Sequence, residues 1–255
     1  MDFHENGSSP FAWRLEKVGR VDSSNDLVLK RARDGEREGL AIWAQSQRNG
    51  RGRLGRSWTS PPGAGLYFSV LLRPPVPAEQ VAALSLVAAV AMAEGLSQAG
   101  GIPVGLKWPN DLRLAGKKMG GILLEYEPKG GKRPWVVVGV GINLKSPPEG
   151  YPAEFRDSVT SMEAAGCRVA DEGEIIQTLL GHLARWYGDF LASGFERVRQ
   201  RWEALCDGID KHAAVSVAGG PIEGIMRGID AGGRLLLEES SGELRLIDAG
   251  EVVER

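Results

Sequence analysis

Between two apolar runs that read as strands, residues 40–44 and 65–72, the chain carries Gln47-Arg48-Asn49-Gly50-Arg51-Gly52-Arg53-Leu54-Gly55-Arg56-Ser57-Trp58. No Asp or Glu occurs from Gly39 to Ala78, whereas Arg48, Arg51, Arg53, Arg56 and Arg73 all do. The first strand therefore feeds a loop of one charge sign. Its glycines let the backbone turn tightly and come close to a ligand, and its arginines offer permanent charge and bidentate donors. The bland alternative, a solvated hairpin tip, gives no reason for three glycines set between arginines. The spacing is not that of a P-loop, because no Gly-Lys-Ser/Thr closes it, nor that of the dinucleotide fingerprint. In a chain of formal net charge −2 this is a local positive field that gathers anions, a phosphate or a carboxylate.

The remaining pattern fixes the fold class. Ser23-Ser24-Asn25 before residues 26–33, with Gly35 behind, reads as a short capped helix. Residues 78–98 are Ala-rich and unbroken, which fits a buried helix. Residues 104–108 read as a strand ended by Pro109-Asn110-Asp111. Residues 121–126 and 135–142 read as a hairpin turning at Lys129-Gly130-Gly131-Lys132. Asp171 with Glu174 opens an amphipathic helix carrying Ile175, Ile176, Leu179, Leu180, Leu183, Trp186 and Phe190 at helical spacing, and residues 195–205 form a second one. Beyond Gly208 the texture changes to short strands, 215–217, 222–229, 234–238 and 244–247, parted by glycine turns. Strands and helices do not alternate regularly before that point. The expectation is an α+β fold, a mixed or antiparallel sheet with helices spanning residues 1–207, followed by a small all-β unit at residues 208–255, with the boundary near Asp207.

Composition excludes several classes. With 31 Lys+Arg against 33 Asp+Glu, the chain is not a general nucleic-acid coat, and aromatics are not interleaved with the arginines as a single-strand binder needs. Cys167 and Cys206 are too few for a disulfide framework or a four-cysteine metal site and read as thiols of a reducing compartment. The first residues lack the charged and apolar regions of a signal peptide. The longest apolar run, 81–93, stops at Glu94 and reads as too short for a membrane span. A cytoplasmic protein with no membrane partner is the expectation.

Two further clusters carry chemistry. Lys107-Trp108-Pro109-Asn110-Asp111 and Lys118 lie at the ends of adjacent candidate strands, where a sheet offers polar side chains to a pocket. Lysines suit phosphates, and Asp111 suits a metal, a ribose or an ammonium group. Pro-Asn-Asp is also plain turn chemistry. In Gly139-Val140-Gly141-Ile142-Asn143, small residues fit close packing, while a buried Asn143 amide needs partners that an adenine edge would supply. Trp58 is equally a core residue or a platform for a base.

Taken in order, Asp22-Ser23-Ser24-Asn25, Gln47, Gly50-Arg51-Gly52-Arg53-x-Gly55-Arg56-x-Trp58, Lys107-Trp108-Pro109-Asn110-Asp111-Leu112, Lys118-Met119-Gly120-Gly121-Ile122-Leu123 and Gly139-Val140-Gly141-Ile142-Asn143 resemble the biotin–protein ligases. The resemblance runs from Val21 to the C-terminus. It implies a class II synthetase-like catalytic domain with a C-terminal SH3-like β-barrel, and a two-step reaction. Biotin attacks the α-phosphate of Mg-ATP to give biotinyl-5′-AMP, and a lysine of a biotin carboxyl carrier protein then takes the biotin. It places biotin near Ser23, Ser24, Asn25, Gln47, Arg51, Gly52, Arg53 and Lys118. It places ATP and the adenylate near Arg51, Arg53, Arg56, Trp58, Lys107, Asn110, Asp111, Lys118 and Asn143. Arg53 and Lys118 become the catalytic pair, Asp111 the one candidate for metal, and ATP, Mg2+ and biotin the small-molecule requirements. Members with a repressor role carry an N-terminal helix-turn-helix unit, for which the position of Asp22 leaves no room. A monomer or weak homodimer without nucleic-acid binding is expected. The rival within the fold is a lipoate or octanoate ligase or transferase; the rival outside it is a nucleic-acid module. The chain departs from the family at Ser24, where Thr is usual, at Leu54, where Arg is frequent, and at Arg48-Asn49, which replace Thr-Ala.

Overall fold

The computed structural model describes residues 12–127, 135–147, 149–167, 169 and 171–253. In chain order the elements are β1 (Arg14–Val21), α1 (Ser24–Arg33), β2 (Leu40–Gln47), β3 (Gly65–Leu72), α2 (Ala78–Val81), α3 (Leu84–Gly100), β4 (Gly105–Lys107), β5 (Asp111–Leu114), β6 (Lys117–Glu127), β7 (Trp135–Asn143), α4 (Glu172–Ser193), α5 (Glu196–Leu205), β8 (His212–Val217), β9 (Gly220–Ile229), β10 (Leu235–Glu238), β11 (Leu244–Ile247) and β12 (Glu251–Val253). The first seven strands form one mixed sheet in the order β1-β2-β3-β7-β6-β5-β4, with only β1 and β2 parallel. The last five form an antiparallel sheet in the order β11-β10-β9-β8-β12. This is the α+β architecture read from the sequence.

Each face of the large sheet has its own core. On one face α3 packs against the sheet, with α4 and α5 behind it. Leu66, Phe68, Val70 and Leu72 of β3 meet the alanine-rich surface of α3 there. On the other face the α1 residues Val28, Leu29 and Ala32 lie against Ile42, Leu71, Trp135 and Val137. Each such side chain taken fully from water is worth about 1.5–3 kcal/mol. That face is only partly covered by α1, and the rest of it is the floor of the site.

Several elements differ from expectation. The strand β1 was not anticipated, because Arg14-Leu15-Glu16-Lys17-Val18 mixes charged and apolar residues without a period of two at a sheet edge, four of the eight strand residues being half-buried and four exposed. Helix 78–98 is broken into α2 and α3 and runs on to Gly100. Taken together, Ala78–Gly100 reaches the length and hydropathy of a membrane span, the one such stretch among the described residues. This corrects the expectation of a run too short for a span. With 72% of its apolar window buried, it is packed as the central core helix. Pro109-Asn110-Asp111 is a hairpin turn whose Asp111 opens β5, so the chain folds back once more than the sequence suggested. The β6–β7 hairpin forms; its expected turn at 129–132 lies outside the described residues. Asp171 caps α4 by accepting from the Gly173 N–H at 2.8 Å.

The register brings the motifs to one end of the sheet. Lys107 pairs with Asp111, Asp111 with Gly121, Gly121 with Gly141, Gly141 with Tyr67 and Tyr67 with Ala44. One row further in, Leu123 pairs with Gly139, Gly139 with Ser69 and Ser69 with Ile42. Because β1 and β2 are parallel, Val21 and Gln47 finish side by side. The chain leaves β1 into the N-terminus of α1 and leaves β2 into the arginine loop, at the same end.

Candidate active site

At this end lies a cavity of roughly 1540 Å³. Every candidate from the sequence lines it: Ser23, Ser24, Asn25, Gln47, Arg51, Gly52, Arg53, Arg56, Trp58, Lys107, Asn110, Asp111, Lys118 and Asn143. Gly250 and Glu251, from the C-terminal sheet, close the rim.

Its inner part is a network of neutral polar groups. Ser23, Ser24 and Asn25 are each only 4% exposed, and Ser69 is fully buried. Ser23 sits at the N-cap position of α1 without making a side-chain cap bond. The Ser24 N–H and hydroxyl both donate to Gln47 Oε1, at 2.8 and 3.0 Å. Gln47 Nε2 donates to Ser60 Oγ at 2.9 Å. Ser69 Oγ lies 2.7 Å from Ser24 Oγ and 2.5 Å from Asn25 Oδ1, and Asn25 Nδ2 donates to Glu125 Oε2 at 2.6 Å. The serines that look like caps in the sequence thus serve the pocket. Gly139 makes room for this: a Cβ there would stand 2.1 Å from Asn25 Oδ1.

The outer part is cationic, and its cations are held by carboxylates. Arg51 meets Asp26 at 2.7 Å and Glu125 at 2.7 Å. Arg56 forms a bidentate pair with Glu251 at 2.8 and 2.5 Å. Lys118 Nζ lies 2.6 Å from Asp111. The hydrogen bond and charge of Arg56 hold the Glu251 carboxyl below its ordinary value, despite its burial, with Lys118 and Lys107 contributing. Arg53 differs. No ion pair to it is recorded among the described residues, and its guanidinium reaches Asn110 Oδ1 at 3.5 Å. Burial lowers its pKa, against the pull of Asp111 and Glu251, so an arriving anion is its natural partner.

Trp58 is not a core residue but part of the cavity wall. It is half-buried, lies against Gly141 and Gly121, and has Lys118 Nζ 5.7 Å from the ring centroid. Its Nε1 is buried without a hydrogen-bond partner. Asn110 is fixed by Nδ2 donating to Ile122 O at 2.7 Å, and Asn143 by Nδ2 donating to Thr160 O at 3.1 Å, so each amide turns its oxygen elsewhere. Asp111, the one metal candidate raised from the sequence, lies 2.6 Å from Lys118 Nζ. No cluster of three acids, histidines or cysteines able to hold a metal exists among the described residues. The unusual Arg48 is accounted for by an exposed pair with Asp22 at 2.6 Å.

Sequence reasoning missed Ser69, Glu125 and Glu251. Ser69 had a faint signal, a small polar residue in the apolar strand β3; Glu125, in a strand that also holds Lys117, Lys118 and Glu127, had none that set it apart. Glu251 had none.

Residues 18–143 match the biotin/lipoate A/B protein ligase family, and residues 209–255 match the biotin protein ligase C-terminal domain. The chain is 35% identical over 229 residues to the bifunctional ligase/repressor BirA of Bacillus subtilis, covering 90% of this chain and 70% of that protein. It belongs to the biotin–protein ligases. It is 34% identical over 238 residues to the biotin–[acetyl-CoA-carboxylase] ligase of Paracoccus denitrificans, covering 92% of this chain and 98% of that one. Its fold is similar to that of the biotin protein ligase from Aquifex aeolicus in complex with biotin and ATP, with a TM-score of 0.79 and 30% identity over 94% of this chain and 97% of the other.

Proposed function

We propose that this ligase joins biotin to ATP in the cavity at the end of the large sheet and passes the biotin to a lysine of a biotin carboxyl carrier protein. The observation that carries the reading is the division of one cavity into a neutral polar inner pocket and a cationic outer mouth. A neutral bicyclic head group with a carboxylate tail suits that division, with the carboxylate emerging where a nucleotide phosphate arrives.

The chemistry joins two anions. One biotin carboxylate oxygen forms a bond to the α-phosphorus, and the bond from that phosphorus to the bridging oxygen breaks, releasing pyrophosphate. Arg53 and Lys118 offset the repulsion at the reacting oxygens, where each removed donor is worth roughly 3 kcal/mol. Trp58 offers its face to the base, Asn143 and Asn110 present amide oxygens, and Lys107 and Arg56 face the outer phosphates. The inner residues Ser23, Ser24, Asn25 and Gln47 hold biotin, with Arg51 and Gly52 of the loop beside them. In the second step the carrier lysine, as free amine, attacks the acyl carbon and AMP leaves with the bonding electrons. Magnesium would enter as Mg-ATP, and Asp111 is the residue of the sequence reading that could meet it; among the described residues no cluster of three acids, histidines or cysteines stands ready for a metal. The arginine loop closes over the adenylate and keeps water from it.

The catalytic unit ends near Asp207, and the C-terminal sheet is the SH3-like module of the family. The protein works in the cytoplasm as a monomer or weak homodimer. The matched family also contains lipoate ligases, so the decisive experiment is ATP–pyrophosphate exchange with Mg2+, with biotin and lipoate in parallel. Exchange with biotin alone is expected; exchange with lipoate alone would overturn the substrate assignment. In the same assay Lys118→Ala is expected to slow exchange about a hundredfold, the equivalent of roughly 3 kcal/mol.

A further inference from the structure

We propose that Glu125 is a positioning residue: it orients the Asn25 amide in the inner pocket and, through Arg51, fastens the arginine loop to the floor of the cavity. The proposal rests on the reading that this pocket takes biotin.

The argument begins with proton counting. A carboxylate only accepts, so the Asn25 atom 2.6 Å from Glu125 Oε2 must be the amide nitrogen. The acceptor Oδ1 is thereby turned to Ser69, 2.5 Å away, and takes the only hydroxyl proton that Ser69 has. At the far end, Gln47 is fixed in the same way. Its oxygen accepts the Ser24 N–H and its nitrogen donates to Ser60. Between two amides of set direction, the Ser24 hydroxyl has Ser69 Oγ at 2.7 Å and Gln47 Oε1 at 3.0 Å to choose from. The pocket therefore sets amide oxygens of fixed direction beside movable serine hydroxyls, which suits a cyclic urea with two N–H groups and one carbonyl. Without Glu125 nothing holds the Asn25 amide against reversal, and reversal would set an N–H where the urea needs an acceptor.

The second role follows from placement. Glu125 shares a face of β6 with Gly121 and Leu123, which line the cavity. Its other contact is Arg51 Nη2, at 3.0 and 2.7 Å. Arg51 is also paired to Asp26 of α1, so the first arginine of the Gly-Arg-Gly-Arg segment is clamped between a helix and a strand that do not move with the loop. Removing one of the two carboxylates loosens that end of the loop.

Two substitutions separate the roles. Glu125→Gln keeps an acceptor for Asn25 but removes the charge facing Arg51; Glu125→Leu removes both. The measurements are biotin affinity by calorimetry, pyrophosphate exchange titrated with biotin and with ATP, and the rate at which preformed biotinyl-adenylate leaves the protein. Glu125→Leu is expected to raise the biotin Kd and KM at least tenfold, with the ATP KM and kcat within threefold of wild type. Glu125→Gln is expected to keep the biotin Kd within threefold while releasing the adenylate at least fivefold faster. An unchanged biotin Kd in Glu125→Leu would overturn the first role. Unchanged adenylate release in Glu125→Gln, the nearly isosteric variant, would overturn the second even if Glu125→Leu failed to fold. Wild-type protein without biotin-dependent exchange would overturn the functional reading and this proposal together, whereas normal wild-type exchange with silent variants would overturn the proposal alone.

Discussion

Replacing Gly141 by Ala tests whether the glycines of β7 exist to seat Trp58. The backbone at Gly141 is ordinary strand, so any cost arises from the methyl group alone. That Cβ would stand 2.5 Å from both Cε2 and Nε1 of Trp58 and 3.0 Å from Cζ2. Carbon contacts are comfortable at about 3.5–4.0 Å, so the indole must retreat by about 1 Å. Overpacking of this kind costs about 1–3 kcal/mol, a fall of a few degrees in Tm for a chain of this size. If the ring tilts outward instead, the loss falls on the base stacked upon it, about 1–3 kcal/mol. That corresponds to an ATP KM raised about 5- to 150-fold. The assay is pyrophosphate exchange against ATP at saturating biotin, with biotin affinity measured separately and expected to hold within threefold. The double variant Gly141→Ala/Trp58→Ala should recover stability relative to Gly141→Ala, because the clashing ring is gone, without recovering ATP affinity. Gly19→Ala, where a Cβ would meet nothing within 4 Å, is the control. An ATP KM within twofold of wild type in Gly141→Ala would refute the reasoning that Trp58 must lie flat on Gly141 to receive the base.

Three further predictions concern charge. Glu94, 15% exposed on α3, accepts from Trp186 Nε1 at 2.8 Å and Arg201 Nε at 2.7 Å and pairs with Arg185, both arginines being about half exposed, so Glu94→Gln should cost about 1 kcal/mol; a urea midpoint equal to wild type would contradict it. Acid should unfold the protein in two stages. Burial, helped by Arg185, holds the His182 pKa below 6.5. Burial alone would raise Glu94, but bonds from Trp186 and Arg201 and the charge of Arg185 bring it below 4.5. In both cases the unfolded chain takes up the proton first, so stability is complete above 6.5 and falls with pH, first through His182 and then, below 4.5, through Glu94. Urea midpoints across pH would show this, and His182→Gln should abolish the first stage. Finally, Asp111→Asn frees Lys118 from its carboxylate and should lower the exchange rate while leaving half-saturation by Mg2+ within twofold; a large rise in the Mg2+ requirement would make Asp111 a metal ligand after all.

Much of the site was legible because its chemistry is local in sequence. The arginine loop shows itself by the missing acids around it, and Lys107 to Asp111 by a turn between strands. What escaped was set by register. Ser69 and Glu125 matter only because β3, β7 and β6 align in one row-and-column pattern under α1, and no spacing along the chain reports that alignment. The edge strand β1 escaped for another reason: a strand with one open side need not be apolar, and its charged residues leave no period of two. Ser23 to Asn25 were legible as a helix start, yet the obvious reading of those side chains as caps was the wrong local account of them.

The Arg56–Glu251 pair joins two residues 195 positions apart along the chain. Proteins are made from the N-terminus onward, so the loop emerges from the ribosome long before its counter-ion does. Until β12 pairs with β8, Arg56 has no carboxylate to rest on and the rim of the cavity is open. A growing chain thus carries an unfinished mouth, and it gains the means to hold a reactive anhydride only once the C-terminal sheet has been made.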